Sequence, residues 1–192
     1  MSKTRLEAFS DGVIAILITI MVLELKVPHG ADWGALRSML PVALAYVLSF
    51  VFVGIYWNNH HHMLHAAERV DGRILWANLH LLFWLSLIPV ATQWMGNFPL
   101  APLPTAVYGI LLLCAAIAYT VLQAAIVSRH GPDSVLASAV GKDVKGKVSL
   151  ALYAAAIGAA FVLPWVSYGI YVIVALLWLV PDRRIEKKLH RS

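Results

Sequence analysis

The sequence predicts an all-α integral membrane protein with six transmembrane helices, and three observations predict it. Hydrophobic residues make up 60% of the 192 positions and charged residues only 13%, about half the charge of an ordinary globular domain. The apolar residues gather into span-length runs, with the charges confined to short segments between them. The basic residues also fall mostly on one side of the resulting topology.

The first span runs from about Leu6 to Val27. The second covers about Ala35 to Trp57 and is extended by the polar run Asn58 to His62. The third covers about Ile74 to Met95, and the fourth about Leu103 to Val127. The last apolar block, Val148 to Val180, has 33 residues without a charge. As one helix it would reach ~50 Å, too long for a ~30 Å hydrocarbon core unless steeply tilted. Pro164, Trp165, Ser167 and Tyr168 lie at its middle. Proline disfavours a continued helix, and Trp and Tyr favour the interface. The block therefore divides into two short spans joined by a tight hairpin. The other Gly and Pro breaks are expected near span ends. The longest connection, His130 to Lys147, has room for a short helix around Ser134 to Val140. Residues 1–192 read as a single domain with no convincing repeat, and no cleavable signal peptide is expected.

With the N-terminus inside, the inner segments hold Lys3, Arg5, Arg69, Arg73, Arg129, Lys142, Lys145, Lys147 and the tail from Arg183 to Arg191. That accounts for 13 of the 15 basic residues, and only Lys26 and Arg37 fall outside. The positive-inside rule then places both termini in the cytoplasm. The net charge of +5 is accordingly a membrane signature. A nucleic-acid partner is not expected, because no basic stripe is interleaved with stacking aromatics on a soluble element. The lone Cys114 lies mid-span as a packing residue, and no intrachain disulfide can form.

The first span carries the chemistry. Ser10, Asp11 and Thr19 are costly guests in a bilayer. Gly12, Ile16, Thr19 and Leu23 recur at spacings of four, three and four, which puts them on one narrow stripe. A glycine, a branched apolar residue and a hydroxyl suit a close-packed or pore-lining face better than a lipid face. Asp11 lies about 100° round the helix from Gly12. It either faces the inner entrance or pairs with a neighbouring helix, and pairing is the preferred reading. Ser10 and Asp11, with Trp57 and one of His60 or His61, form the expected hydrogen-bonded latch. Arg5 lies off the Asp11 face and is expected at the inner interface or against another subunit.

The motif Arg5-x-x-x-Phe9-Ser10-Asp11-Gly12, followed by an apolar run ending Val22-Leu23-Glu24, resembles the signature of the transmembrane protein 175 family of lysosomal-type potassium channels and their shorter prokaryotic relatives. The resemblance continues through Tyr56-Trp57-Asn58-Asn59-His60-His61, Asn78 and Ser86-Leu87-Ile88-Pro89. It implies a homotetramer in a bacterial plasma membrane, with the first helix of each subunit lining a central pore for K+ and other monovalent cations. It also implies an apolar constriction at Ile16 and a selectivity-related hydroxyl ring at Thr19. No cofactor and no bound metal are implied.

Two other classes are weighed against a channel. His60-His61-His62-x-x-His65 invites a metalloenzyme reading, but such enzymes need several separated clusters. A small secondary transporter would need a discontinuous midplane helix or paired inverted repeats. Thr19 has a plain alternative too, a bond back to its own helix. His80 is expected to be a satisfied packing histidine.

Overall fold

A computed structural model describes residues 2–67, 69–131, 136–137 and 143–179. Lys142, the basic tail and most of the short helix expected around Ser134 to Val140 lie outside the described residues. The described chain is all-helical. Helix α1 spans Lys3–Leu23 and α2 Trp33–His65. Helices α3, Gly72–Ser86, and α4, Ile88–Asn97, are two halves of the third span. Helix α5 is Pro102–His130, α6 Val144–Ala160 and α7 Pro164–Leu179. Helices therefore stand at all six expected spans. By length and composition α1, α2, α3 with α4, and α5 are able to cross a membrane. The hairpin expected at Pro164 separates α6 from α7.

Three details differ from the sequence reading. Helix α1 stops at Leu23, with Glu24 as its C-cap, so Leu25–Val27 are outside it. Helix α2 absorbs the whole histidine run to His65, because nothing between Asn58 and His65 breaks a helix. The third span breaks in its middle and not near an end. Leu87 separates its halves, since Pro89 has no N–H and crowds the preceding turn.

Aspartates start three helices. Asp32 accepts from Ala35 N at 2.7 Å, and Asp143 accepts from Gly146 N at 3.1 Å. Asp71 accepts from Arg73 N and Ile74 N, both at 3.0 Å, and lies 3.7 Å from Arg129. The Ile74 N–H, helped by Arg73 and Arg129, holds its carboxyl below the usual range. The loop before it is tied to the end of α5 through His130, whose Nε2 accepts from Arg69 N and whose Nδ1 donates to the Ile126 carbonyl.

Helix α5 is the central post, packed against α3, α4, α6 and α7. Inside the membrane-spanning bundle every buried polar side-chain atom among the described residues has a partner, as a medium without water requires. Ser49 Oγ lies 2.9 Å from Tyr108 OH, and Thr92 Oγ1 lies 2.6 Å from the same serine, tying α2, α4 and α5. Tyr171 OH donates to the Thr105 carbonyl at 2.9 Å, tying α7 to α5.

Helices α2 and α4 approach closely at Gly96, where an added Cβ would lie 2.8 Å from Val42 Cα. Small residues permit such approaches in membranes. Gly96→Ala should therefore part the two helices and cost about 1–3 kcal/mol. Thermal unfolding of the purified protein checks this, and an unchanged midpoint would show that the contact yields freely.

Candidate functional site

Helix α1 shows two faces. Leu6, Ser10, Ile14, Leu17 and Met21 are buried against α2, α3 and α4. The stripe Gly12, Ile16, Thr19 and Leu23 lies about 150° away at 100° per residue. In the single chain it is open, with Ile16 58% and Leu23 80% exposed and nothing within 4 Å of a Cβ placed on Gly12. Thr19 Oγ1 donates to the Ile16 carbonyl at 2.8 Å, the local bond considered from sequence.

The packed face is held at the N-terminal end of α1 by two separate polar ties. Trp57 Nε1 donates to Asp11 Oδ1 at 3.0 Å, on the exposed side. One residue away, Ser10 is fully buried and its Oγ donates to the Leu6 carbonyl at 2.8 Å. Asn78 Nδ2 donates to that same Oγ at 3.0 Å, and Asn78 Oδ1 lies 2.6 Å from His60 Nε2. An amide oxygen only accepts, so His60 carries its proton on Nε2. The chain therefore runs one way, from His60 on α2 through Asn78 on α3 to Ser10 on α1.

The expected latch thus divides. Asp11 meets Trp57, whereas His60 reaches Ser10 through Asn78. His61 is exposed and lies against the rings of Trp57 and His65. Helical geometry explains the difference, since His60 and His61 diverge by about 100°. Asn78 carried part of the resemblance but had no assigned role. Its signal was an amide inside an apolar span, where a polar group needs a partner. Arg5 and Phe9 are exposed on α1. His80 is exposed and not packed, and its Nε2 accepts from Trp84 Nε1 at 2.8 Å.

The C-terminal end of α1 has its own tie, also missed from sequence. Gln93 Nε2 on α4 donates to Glu24 Oε2. Beside it lies a cavity of about 170 Å3 lined by Glu24, Lys26, His29, Ser38, Gln93 and Asn97. Among the described residues, no three His, Cys, Asp or Glu side chains converge to hold a metal.

The two ties at the N-terminal end of α1 can be separated by experiment. Asp11→Ala with Trp57→Phe should be strongly non-additive in stability, and Asp11→Ala with His61→Ala should be additive. Asn78→Leu strands the His60 N–H and leaves Ser10 short of a donor, at about 1–3 kcal/mol per stranded group. Unfolding midpoints of the purified variants check both. Coupling of Asp11 to His61 as strong as to Trp57 would contradict the division.

Residues 5–89 match the family described as endosomal/lysosomal potassium channel TMEM175. A potassium channel of Chryseobacterium sp. (strain P1-3) is 54% identical over 192 residues, the full length of both chains. A potassium channel of Chamaesiphon minutus is 31% identical over 90% of this chain and 91% of its own. The crystal structure of a lysosomal potassium-selective channel TMEM175 homolog from that organism superposes with a TM-score of 0.82, at 30% identity, over 94% of this chain and 97% of that one. The endosomal/lysosomal proton channel TMEM175 of Danio rerio is 27% identical over 68% of this chain but only 25% of its own length. With a full-length relative at 54% identity and the whole fold in common with a solved homolog, the chain belongs to the TMEM175 family of membrane channels.

Proposed function

We propose that this protein is a potassium-preferring cation channel, a homotetramer in a bacterial plasma membrane with α1 of each subunit lining the pore and both termini in the cytoplasm. The observation that carries the reading is the two-faced α1. One face is tied to its own subunit by Ser10, Asp11 and Glu24. The other bears Gly12, Ile16, Thr19 and Leu23 and meets nothing of its own chain that would bury it. The relatives named potassium channels support the cargo. The excess of basic residues on the inner segments supports the orientation. The proposal takes residues 1–192 as one channel domain.

In this reading four Ile16 side chains form an apolar neck. Such a neck raises the cost of a hydrated ion and gates by dewetting. The Thr19 bond to the Ile16 carbonyl favours the mechanism, because the hydroxyl spends its hydrogen on its own helix. Its oxygen lone pairs are then left for a cation or its water shell. Potassium holds its water less tightly than sodium, so partial dehydration at this ring favours potassium. Gly12 keeps the inner approach wide. The mid-span break at Leu87 is the one feature a transporter reading would use. It lies in a span set behind α1, and Leu85 and Ile88 on either side of it are fully buried.

Liposome flux of K+ and Na+, measured side by side, tests the proposal. Ile16→Asn should raise flux and weaken selectivity, and Ile16→Trp should reduce flux. Unchanged flux in both variants, with normal assembly, would remove Ile16 from the pore.

Thr19→Ala should lower the preference for K+ over Na+ more than it lowers total flux, and Thr19→Ser should be milder. Equal selectivity in wild type and Thr19→Ala would confine the hydroxyl to its structural bond.

A further inference from the structure

The inner end of α2 carries three consecutive histidines and a fourth at position 65. His60 is spent on the buried chain to Asn78. His61 and His65 are four residues apart, so they share one face on consecutive turns. Both are exposed, and their rings lie 6.2 Å apart between centroids at 19° to one another. His62 projects in a different direction, with its ring edge-on to His61.

We propose that His61 and His65 form a two-imidazole site for a borderline divalent transition-metal ion. Metal–imidazole bonds are about 2.0–2.1 Å, so the two ring nitrogens must approach to roughly 3–4 Å. Two exposed side chains reach that by small χ rotations, without moving the backbone. Nitrogen ligands favour Cu2+, Ni2+ and Zn2+, with Cu2+ tightest, over Ca2+ and Mg2+. With no third His, Cys, Asp or Glu converging among the described residues, water fills the remaining positions. The ion is therefore exchangeable and not a structural staple. The cation bonded to this turn does not oppose it strongly. Lys3 Nζ is held at 2.8 Å by the His65 carbonyl and lies 3.9 Å from Glu7, which offsets its charge.

The position gives the site a consequence. A metal bridge clamps the last turns of α2, where helix ends fray. The same end carries Trp57, bonded to Asp11 of α1, and the carbonyl that holds Lys3 of α1. Occupancy therefore stiffens the junction between the two helices. This inference does not rest on the proposed channel function.

Ni2+ titration of the intact purified protein, carrying no histidine tag, tests it by calorimetry, tryptophan emission and thermal unfolding. Trp57 lies 6.3 Å from the His61 ring and is one of seven tryptophans, so a saturable partial quench is expected. One ion per chain, a raised unfolding midpoint and reversal by a chelator should accompany it. His65→Ala should lose the quench and the stabilisation and still fold, because Lys3 bonds the backbone at that position. His61→Ala should behave the same, and His62→Ala should bind as wild type does. Equal Ni2+ affinity in wild type and His65→Ala, or no saturable binding to wild type, overturns the proposal.

Discussion

The rotation of α1 about its own axis is fixed by the buried chain from His60 through Asn78 to Ser10. Ser10 has one hydrogen, given to the Leu6 carbonyl, so a second partner must donate to it. Asn78 does so, and its other end is then an acceptor that only a protonated ring nitrogen can satisfy. Each member dictates the state of the next. All three side chains are buried, where an unmet polar group costs far more than in water. Turning α1 by one residue would carry Ser10 about 100° away and leave Asn78 facing apolar neighbours.

The outer faces follow from that constraint. With Ser10 turned inward, Leu6, Ile14, Leu17 and Met21 must pack, and Gly12, Ile16, Thr19 and Leu23 must stay open. The Trp57–Asp11 bond adds a second tie at the N-terminal end of α1, and the Gln93–Glu24 bond adds one at its C-terminal end. Helix α1 is thus anchored to α2, α3 and α4 along one side only. The rest of the described chain is a scaffold for that placement. Helix α5 stands behind, and hydroxyl contacts such as Ser49–Tyr108 and Tyr171–Thr105 hold its neighbours without charges.

Much of this was legible in the sequence. Span number, the hairpin at Pro164 and the α1 stripe all follow from hydrophobic runs, proline and helical periodicity, which are local properties. The involvement of Ser10, Asp11, Trp57 and His60 was also legible, because polar groups in an apolar span must find one another. Their pairing was not. Choosing Asp11–Trp57 and Ser10–Asn78–His60 requires the relative rotation of three helices, which no single helix encodes. The break at Leu87 was missed, because Gly and Pro breaks were expected near span ends. A Pro at position 89 marks a break, but the span around it runs from Gly72 to Asn97, so the break lands in the middle. The Glu24–Gln93 tie was hidden because Glu24 was read as the end of a motif and Gln93 was given no role.

Two hydroxyls on α1 make the same local bond and differ in everything else. Ser10 donates to Leu6 O and Thr19 to Ile16 O, each at 2.8 Å. Each bond frees its oxygen to accept. At Ser10 the acceptor is buried and Asn78 N–H fills it, so the residue is consumed by packing. At Thr19 the acceptor faces outward on the open stripe, beside Ile16. What separates a hydroxyl consumed by packing from one left open is therefore not its local bond. It is the side of α1 on which the Ser10–Asn78 bond has placed it.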